Sequence, residues 1–74
     1  MFTVVGLKNV VSKKDGTRYV ELHLLTEDRF IDGQRCEIVF CRVDQVKNFN
    51  SLCIGAIVQV YFNRFGRVES VEIV

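Results

Sequence analysis

A period of two in the apolar residues constrains this chain more than any other feature of its sequence. In the segment "TRYVELHLLTE", Val20, Leu22 and Leu24 alternate with polar or aromatic residues. Successive side chains of a β-strand point to opposite faces, so this alternation predicts a strand with one buried face and one wet face. The period recurs over most of the 74 residues, and no proline interrupts it. The sequence therefore predicts one small, strand-rich domain spanning residues 1–74.

Five strands and one short helix follow from the local patterns. The first three predicted strands are "FTVVGLKNVVS", "TRYVELHLLTE" and "RCEIVFCR", separated by the turn "KKDG" and the loop "DRFIDGQ". Asp-Gly is a strong hairpin signal, and Gly6 inside the first strand suggests a bulge or bend. Apolar residues recur every third position in "VDQVKNFNSL", which predicts a short helix or helical turn with Asp44 as its N-cap. The segments "GAIVQVYFN" and "RVESVEIV" are the fourth and fifth predicted strands, joined by the turn "RFG".

These elements favour a closed sheet. Alternation on most strands is typical of antiparallel pairing with one wet face, and closing the sheet removes its exposed edges. A first strand bent at Gly6 can pair on both sides, and the helix would cover one open end with Val46 and Phe49. The predicted fold is therefore all-β: a five-stranded antiparallel Greek-key barrel, the OB-fold, with one short helix between strands three and four.

The basic residues are clustered, although the formal net charge is only +1. Two short segments hold half of the ten basic residues and only one acidic residue, Asp15; the basic residues are Lys13, Lys14, Arg18, Arg64 and Arg67. The other acidic residues lie elsewhere in the chain. A nearly neutral protein can therefore carry a basic edge, which is what binding to phosphates requires.

Two aromatic residues accompany these cations. Phe65 lies in the last predicted turn, between Arg64 and Arg67, where a solvated polar residue is the usual choice. It either stacks on a nucleobase while the arginines hold phosphates, or packs on its own hairpin or a second copy of the chain. Tyr19 begins the second strand beside the basic turn, on the face opposite Val20, and is either a stacking residue or an ordinary half-buried strand tyrosine.

Several segments resemble a known family. The hairpin "SKKDGTRYVELHLL" resembles the basic first hairpin of small single-stranded-DNA-binding proteins, and "SLCIGAIVQVYFN" resembles the entry into the fourth strand of OB-folds. Together with "YFNRFGRVESVEIV", they look like the short OB proteins with which filamentous phages coat their single-stranded genome. The segment "VDQVKNFNSL" is more similar to bacterial single-stranded-DNA-binding proteins.

This resemblance implies a function, a partner and a location. The expected function is non-catalytic, largely sequence-independent binding of single-stranded DNA, which coats a genome or a replication intermediate. The resemblance also implies a homodimer formed through the 56–74 hairpin, in the cytoplasm of a bacterial host or a phage-infected bacterial cell. In OB-folds the ligand surface covers strands two and three and the loops between strands one and two and between strands four and five. In this chain those two loops hold the clustered cations.

The expected binding residues follow from that correspondence. Cations are expected to neutralise phosphates and aromatic rings to stack on bases. The phosphate-binding residues are Lys13, Lys14, Arg18, Arg64 and Arg67; the stacking residues are Tyr19 and Phe65; His23 and Tyr61 are minor contacts.

Two other functions stay open at this point. A protein-interaction module or assembly subunit is favoured by the low net charge and by the exposed ring expected at Phe65. An RNA-binding OB domain is the other alternative, because backbone and stacking contacts serve both nucleic acids. The sequence also leaves two roles for the loop 28–34, since Phe30 and Ile31 either close the bottom of the barrel or form a partner surface.

Catalysis, a metal and a cofactor are not predicted. His23 is the single histidine, with no serine or cysteine near it in the sequence, and no glycine-rich phosphate loop occurs. Cys36, Cys41 and Cys53 lack the spacing of a zinc site. Cys36 and Cys41 should lie on opposite faces of their strand. An odd number of cysteines favours a reducing compartment, and no stretch of the sequence indicates a signal peptide or a membrane span.

Overall fold

The chain forms a single mixed sheet of six strands in a computed structural model that describes all 74 residues. The strands are β1 (Phe2–Val11), β2 (Arg18–Glu27), β3 (Gln34–Arg42), β4 (Val46–Lys47), β5 (Ile57–Phe62) and β6 (Val68–Ile73). Their order across the sheet is β3-β2-β1-β5-β6-β4, and all neighbours are antiparallel except β4 and β6. The all-β prediction is confirmed, and the five longer strands coincide with the five predicted strands to within one or two residues at most ends.

The predicted closure into a five-stranded barrel is wrong, because the sheet is open. β3 pairs only with β2 and forms one edge, and the short strand β4 forms the other edge. Closing the barrel would require β3 to pair with the free side of β6. Val46 and Lys47 of β4 already occupy that side, opposite Val71 and Glu72.

The predicted helix between the third and fourth strands is also wrong. Two separate 3₁₀ turns, Val43–Gln45 and Phe49–Ser51, take its place and flank β4. Asn48 between them has a left-handed backbone with φ of 58°, which a continuous right-handed helix excludes. The apolar spacing of three residues matches the period of a 3₁₀ turn rather than that of an α-helix.

Two further predictions concern this segment: that Asp44 is an N-cap, and that Val46 and Phe49 cover the end of the core. The first is wrong, and the second holds for the burial of the two side chains. Asp44 is not an N-cap, since it lies inside the first 3₁₀ turn. The backbone N–H of Arg42 instead donates to Gln45 Oε1 at 2.8 Å. Val46 is buried and Phe49 packs against the buried residues, as predicted for these two side chains. The segment covers the core without being an α-helix.

The core lies on the inner face of the curved sheet and is small. Nine of the 74 residues are buried, and all are apolar: Val4, Val20, Leu22, Leu24, Val39, Cys41, Val46, Val58 and Val71. The predicted buried face of β2 is therefore confirmed. The opposite orientation of the first two cysteines is also confirmed, since Cys41 is buried and Cys36 is exposed. So small a core makes the domain marginally stable on its own.

Gly6 marks a bulge, as its sequence context predicts. The register between β1 and β2 shifts between Val4 and Gly6, and β1 pairs with β5 only at Phe2 and Thr3. A Cβ atom at Gly6 would lie 3.3 Å from the Cβ atom of His23 on β2. The glycine therefore lets the two strands approach each other where β1 changes partner.

Candidate nucleic-acid interface

The outer face of the β2–β3 hairpin carries a stacked aromatic pair. The rings of Tyr19 and Phe40 lie 5.1 Å apart between centroids and are inclined by 10°. Arg42 lies directly opposite Tyr19 and Glu21 opposite Phe40, so the two rings meet along the diagonal of the antiparallel pair. Phe40 is 54% exposed and Ile38, on the same face, is 66% exposed. We call Tyr19, Ile38 and Phe40 the aromatic face.

Two residues of the aromatic face, Ile38 and Phe40, are absent from the sequence prediction. Their signal is present in "RCEIVFCR", where residues 38–41 are apolar in both alternating sets of side chains. Only one set can face the core of a one-layer sheet, and Val39 and Cys41 take that role. The other set must then be exposed, and neighbouring exposed apolar side chains form a patch of the kind that contacts ligands or partners.

Two polar side chains border the aromatic face. His23 Nε2 lies 2.9 Å from Glu21 Oε2, and both side chains are partly exposed. His23 is opposite Ile38, so the predicted minor contact does lie beside the aromatic face. The carboxylate of Glu21 would repel a phosphate at this point, which suits this surface to bases rather than to the nucleic-acid backbone.

The turn between β1 and β2 presents Lys13 and Lys14 to solvent. Asp15 stabilises the turn, because its Oδ1 accepts the backbone N–H of Thr17 at 3.0 Å. Hydrogen bonds from the backbone and then the side chain of Thr17 hold the pKa of Asp15 below its usual value of 3.8. Gly16 supplies the positive φ of 74° that this hairpin turn needs. The one acidic residue of this basic segment is therefore engaged in the turn.

The turn between β5 and β6 presents Phe65. Asn63 Oδ1 accepts the backbone N–H of Phe65 at 2.8 Å and that of Arg67 at 3.1 Å, the Asx arrangement typical of turns. Phe65 is 74% exposed, so it does not fold back onto its own hairpin. The guanidinium carbon of Arg64 lies 5.0 Å from the ring centroid, within cation–π range. Most of the ring remains accessible.

None of the five clustered cations forms an ion pair. Contacts of 4.0 Å or less between basic and acidic side chains involve only His23, Arg35, Arg42 and Lys47. The predicted phosphate-binding residues Lys13, Lys14, Arg18, Arg64 and Arg67 are thus free of carboxylate partners.

The side chain of Gln45 links the end of β3 to the base of the β5–β6 turn by two hydrogen bonds. Its Oε1 accepts the backbone N–H of Arg42 at 2.8 Å, and its Nε2 donates to the carbonyl of Val68 at 3.1 Å. Arg42 lies opposite Tyr19, and Val68 directly follows Arg67 at the base of the last turn. Gln45 therefore holds the base of the β5–β6 turn beside the end of the hairpin that carries the aromatic face.

Two predicted residues lie away from the aromatic face. Arg18 precedes Tyr19 on β2 and points to the other side, where its guanidinium carbon lies 6.0 Å from the ring centroid of Phe49. Tyr61 lies opposite Ser70 on the β5–β6 hairpin, with its hydroxyl 3.4 Å from Glu72 Oε2. Arg18 can meet a nucleic-acid strand at the rim of the sheet, whereas Tyr61 belongs to a different surface.

The loop 28–33 repeats the construction of the β5–β6 turn with the opposite charge. Asp28 Oδ1 accepts the backbone N–H of Phe30 at 2.9 Å, and the guanidinium carbon of Arg29 lies 5.0 Å from the Phe30 centroid. Phe30 is 82% exposed, so it does not close the bottom of a barrel. The acidic residues Glu27, Asp28 and Asp32 are close to Phe30 in the sequence, which makes this loop a poorer site for phosphate than the two basic turns.

Comparison with protein-family models, with curated protein sequences and with solved structures gave no match. No helix of the structure has the length and apolar character needed to cross a membrane. The assignment of function therefore depends on the geometry described above.

Proposed function

We propose that the protein binds single-stranded DNA without catalysis and with little sequence preference, to coat a genome or a replication intermediate. The observation that carries this proposal is the partly exposed Tyr19–Phe40 stack beside two turns whose cations are unpaired. Binding of a single strand combines a cationic path for phosphates with aromatic faces for bases. Both components are present; the cations, Phe40 and Phe65 are exposed, and Tyr19 is half-buried.

The proposed site has three parts. Tyr19 and Phe40 stack on bases, with His23 as a contact at their border. Phe65 stacks on a further base, with Arg64 and Arg67 on the flanking phosphates. Lys13, Lys14 and Arg18 neutralise phosphates at the other basic turn, and Tyr61 is left out of the site.

We also propose that the sheet is an OB-type sheet that remains open between β3 and β6. The pairing of β1 with both β2 and β5 supports this, as does the antiparallel β5–β6 hairpin. OB-folds are partly open barrels whose ligands bind the face of strands two and three. The aromatic face lies on the equivalent strands, β2 and β3.

The bacterial cytoplasm, in a host or a phage-infected cell, is the proposed location. Three free cysteines, two of them exposed, suit a reducing compartment. The homodimer expected through the 56–74 hairpin stays a prediction, supported only by the exposed rings of Phe62 and Phe65 on that hairpin.

A protein-interaction module is the second candidate, favoured by Phe30. This ring is 82% exposed in an acidic loop, a setting that suits a protein partner better than a nucleic acid. The two candidates differ in their salt dependence, because phosphate binding releases counterions and an aromatic protein contact does not.

Fluorescence anisotropy of labelled oligo-dT, titrated over a salt series, tests the proposal. Duplex DNA and oligo-U of the same length are the comparison ligands, and oligo-U separates DNA binding from RNA binding. We expect tight binding to the single strand, weak binding to duplex, and a log–log salt slope of roughly −0.7 per phosphate neutralised. Absence of binding at low salt would remove nucleic acid and leave the protein-interaction candidate.

Phe40→Ala and Phe65→Ala test the two stacking positions. Each should weaken oligo-dT binding by about 1–3 kcal/mol, or roughly 5- to 150-fold. Phe65→Ala should leave the melting temperature almost unchanged, whereas Phe40→Ala should lower it modestly, because it also removes the ring stacked on Tyr19. Phe30→Ala is the matched control, since it removes an equally exposed ring from a turn of the same construction with acidic neighbours. If Phe40→Ala and Phe65→Ala bind like the parent protein, the stacking model is wrong.

A further inference from the structure

One side of β3 has no partner strand along its whole length. β3 is nine residues long, pairs only with β2, and does so in an unbroken register from Gln34 to Arg42. Neither a proline nor a bulge protects this edge, and such edges are templates for another strand. The Arg42 end is joined to β6 through Gln45. The half of the edge that is free to accept a strand is therefore Gln34–Ile38.

The sequence of this free half is complementary to itself. If two copies pair in antiparallel fashion about Cys36, Arg35 of each copy lies opposite Glu37 of the other, and Gln34 lies opposite Ile38. Opposite charges directly across a strand pair are stabilising, and like charges are destabilising. Centring the pair on Arg35 or on Glu37 would bring two arginines or two glutamates face to face. The charge pattern thus selects one register.

The side chains that this register would bring together are at least partly exposed in the single chain. Arg35 and Glu37 lie 3.7 Å apart in one chain and are both partly exposed, so exchanging this pair for an equivalent pair between chains has little cost. Cys36 is an exposed free thiol and Ile38 is 66% exposed. A core of only nine buried residues leaves the single domain with little stability of its own.

We propose that the protein forms a homodimer by antiparallel pairing of β3 with β3 of a second copy, around a two-fold axis at Cys36. The two-fold axis stands perpendicular to the sheet, as closed symmetric dimers of this kind require. Both outer faces then lie on the same side of one continuous sheet. The dimer presents two aromatic faces on one surface, and its formation does not depend on nucleic-acid binding. This interface is different from the 56–74 hairpin.

Disulfide trapping tests the register directly. Residues directly opposite in an antiparallel pair have Cα atoms about 4.5–5.5 Å apart, within the range of roughly 4.4–6.8 Å that a disulfide spans. Added diamide takes two electrons and two protons from the two Cys36 thiols, is reduced to its hydrazine, and leaves one S–S bond. We expect a covalent dimer from the parent protein and from Cys53→Ser, but none from Cys36→Ser. A dimer that persists in Cys36→Ser and disappears in Cys53→Ser would overturn the proposal.

Charge reversal, with sedimentation equilibrium under reducing conditions, tests the pairing without a cross-link. Arg35→Glu and Glu37→Arg each replace two attractive pairs by two repulsive pairs, so each should raise the dimer dissociation constant about tenfold. The double variant Arg35→Glu/Glu37→Arg restores opposite charges across the interface and should dimerise like the parent protein. A parent chain that stays monomeric, single variants that dimerise normally, or loss of the dimer only in Phe65→Ala would each refute β3 pairing.

Discussion

Leu22 lies at the middle of β2, where it has no exposed surface and where strands pair on both sides. Truncating it to alanine removes buried methyl groups and leaves a cavity in a core of nine residues. We expect Leu22→Ala to lower the free energy of unfolding by about 2–5 kcal/mol, which is a large share of the stability of a small domain. Urea unfolding followed by circular dichroism measures the loss.

Ile38→Ala is the control for this prediction. Ile38 is 66% exposed on the neighbouring strand, so its truncation should change the free energy of unfolding by less than about 0.5 kcal/mol in the monomer. Equal losses from the two variants would contradict the assignment of the inner face as the core.

The three cysteines should differ in reactivity. Burial, and then the negative charge of Asp44, raises the pKa of the Cys41 thiol above its usual value of 9.0. Because the thiolate is the reactive form, iodoacetamide at mildly alkaline pH should alkylate Cys36 and Cys53 and spare Cys41. Mass spectrometry of the native protein should show two adducts, and that of the denatured protein three. Equal labelling of Cys41 and Cys53 in the native protein would show that Cys41 is accessible.

At the scale of elements, one ion pair joins β4 to β6. Lys47 Nζ lies 2.8 Å from Glu72 Oε1. The hydrogen bond from Lys47 holds the pKa of Glu72 below its usual 4.5, and the bond to Glu72 raises the pKa of Lys47 above its usual 10.5. Linkage then requires that the pair stabilises the native state at pH values between the usual pKa of Glu72 and the usual pKa of Lys47, where both groups are charged. That stability is lost as pH falls through the lowered Glu72 pKa or rises through the raised Lys47 pKa.

Glu72→Gln should therefore lower the melting temperature slightly at pH 7, since the pair is exposed. The difference from the parent protein should vanish below the lowered Glu72 pKa, where the carboxyl is protonated in both states. Thermal melts at a series of pH values measure this convergence. Glu69→Gln is the matched control, because Glu69 lies on the same strand without a basic partner. A Glu72→Gln effect that persists in acid would contradict an electrostatic origin.

For the whole molecule, the number of hydrogen-bonded neighbours of each strand predicts an order of local stability. β2 is hydrogen-bonded to β1 on one side and to β3 on the other over almost all of its length. β4 has only two residues and a single neighbour. In a sample dilute enough to be monomeric, hydrogen exchange should be slowest in β2 and fast in β4 and on the outer edge of β3. Slower exchange in β5 and β6 than in β2 would place the stable centre of the fold elsewhere.

Much of the local structure is predictable from the sequence because its causes are local. Alternation places Val20, Leu22 and Leu24 on one face of β2 without reference to any other strand. Gly16 marks a turn for reasons of backbone conformation alone, since its φ is positive, and a glycine inside a strand signals a bulge at Gly6. The clustering of cations in two turns is likewise readable, and none of those cations is paired in the structure.

The remaining features depend on contacts between residues distant in the sequence. Both faces of β3 are apolar over residues 38–41, and only its packing against the rest of the sheet decides that Phe40 and Ile38 are exposed. The segment 43–52 has a helix-like spacing, but pairing of Val46 with Val71 makes part of it a strand. That pairing also occupies the edge of β6 and leaves the sheet open. Local sequence is thus enough to predict the five longer strands, the turns between them and the clustered cations. The short strand β4 and the exposure of surfaces and edges depend on the tertiary structure, because both are set by long-range packing.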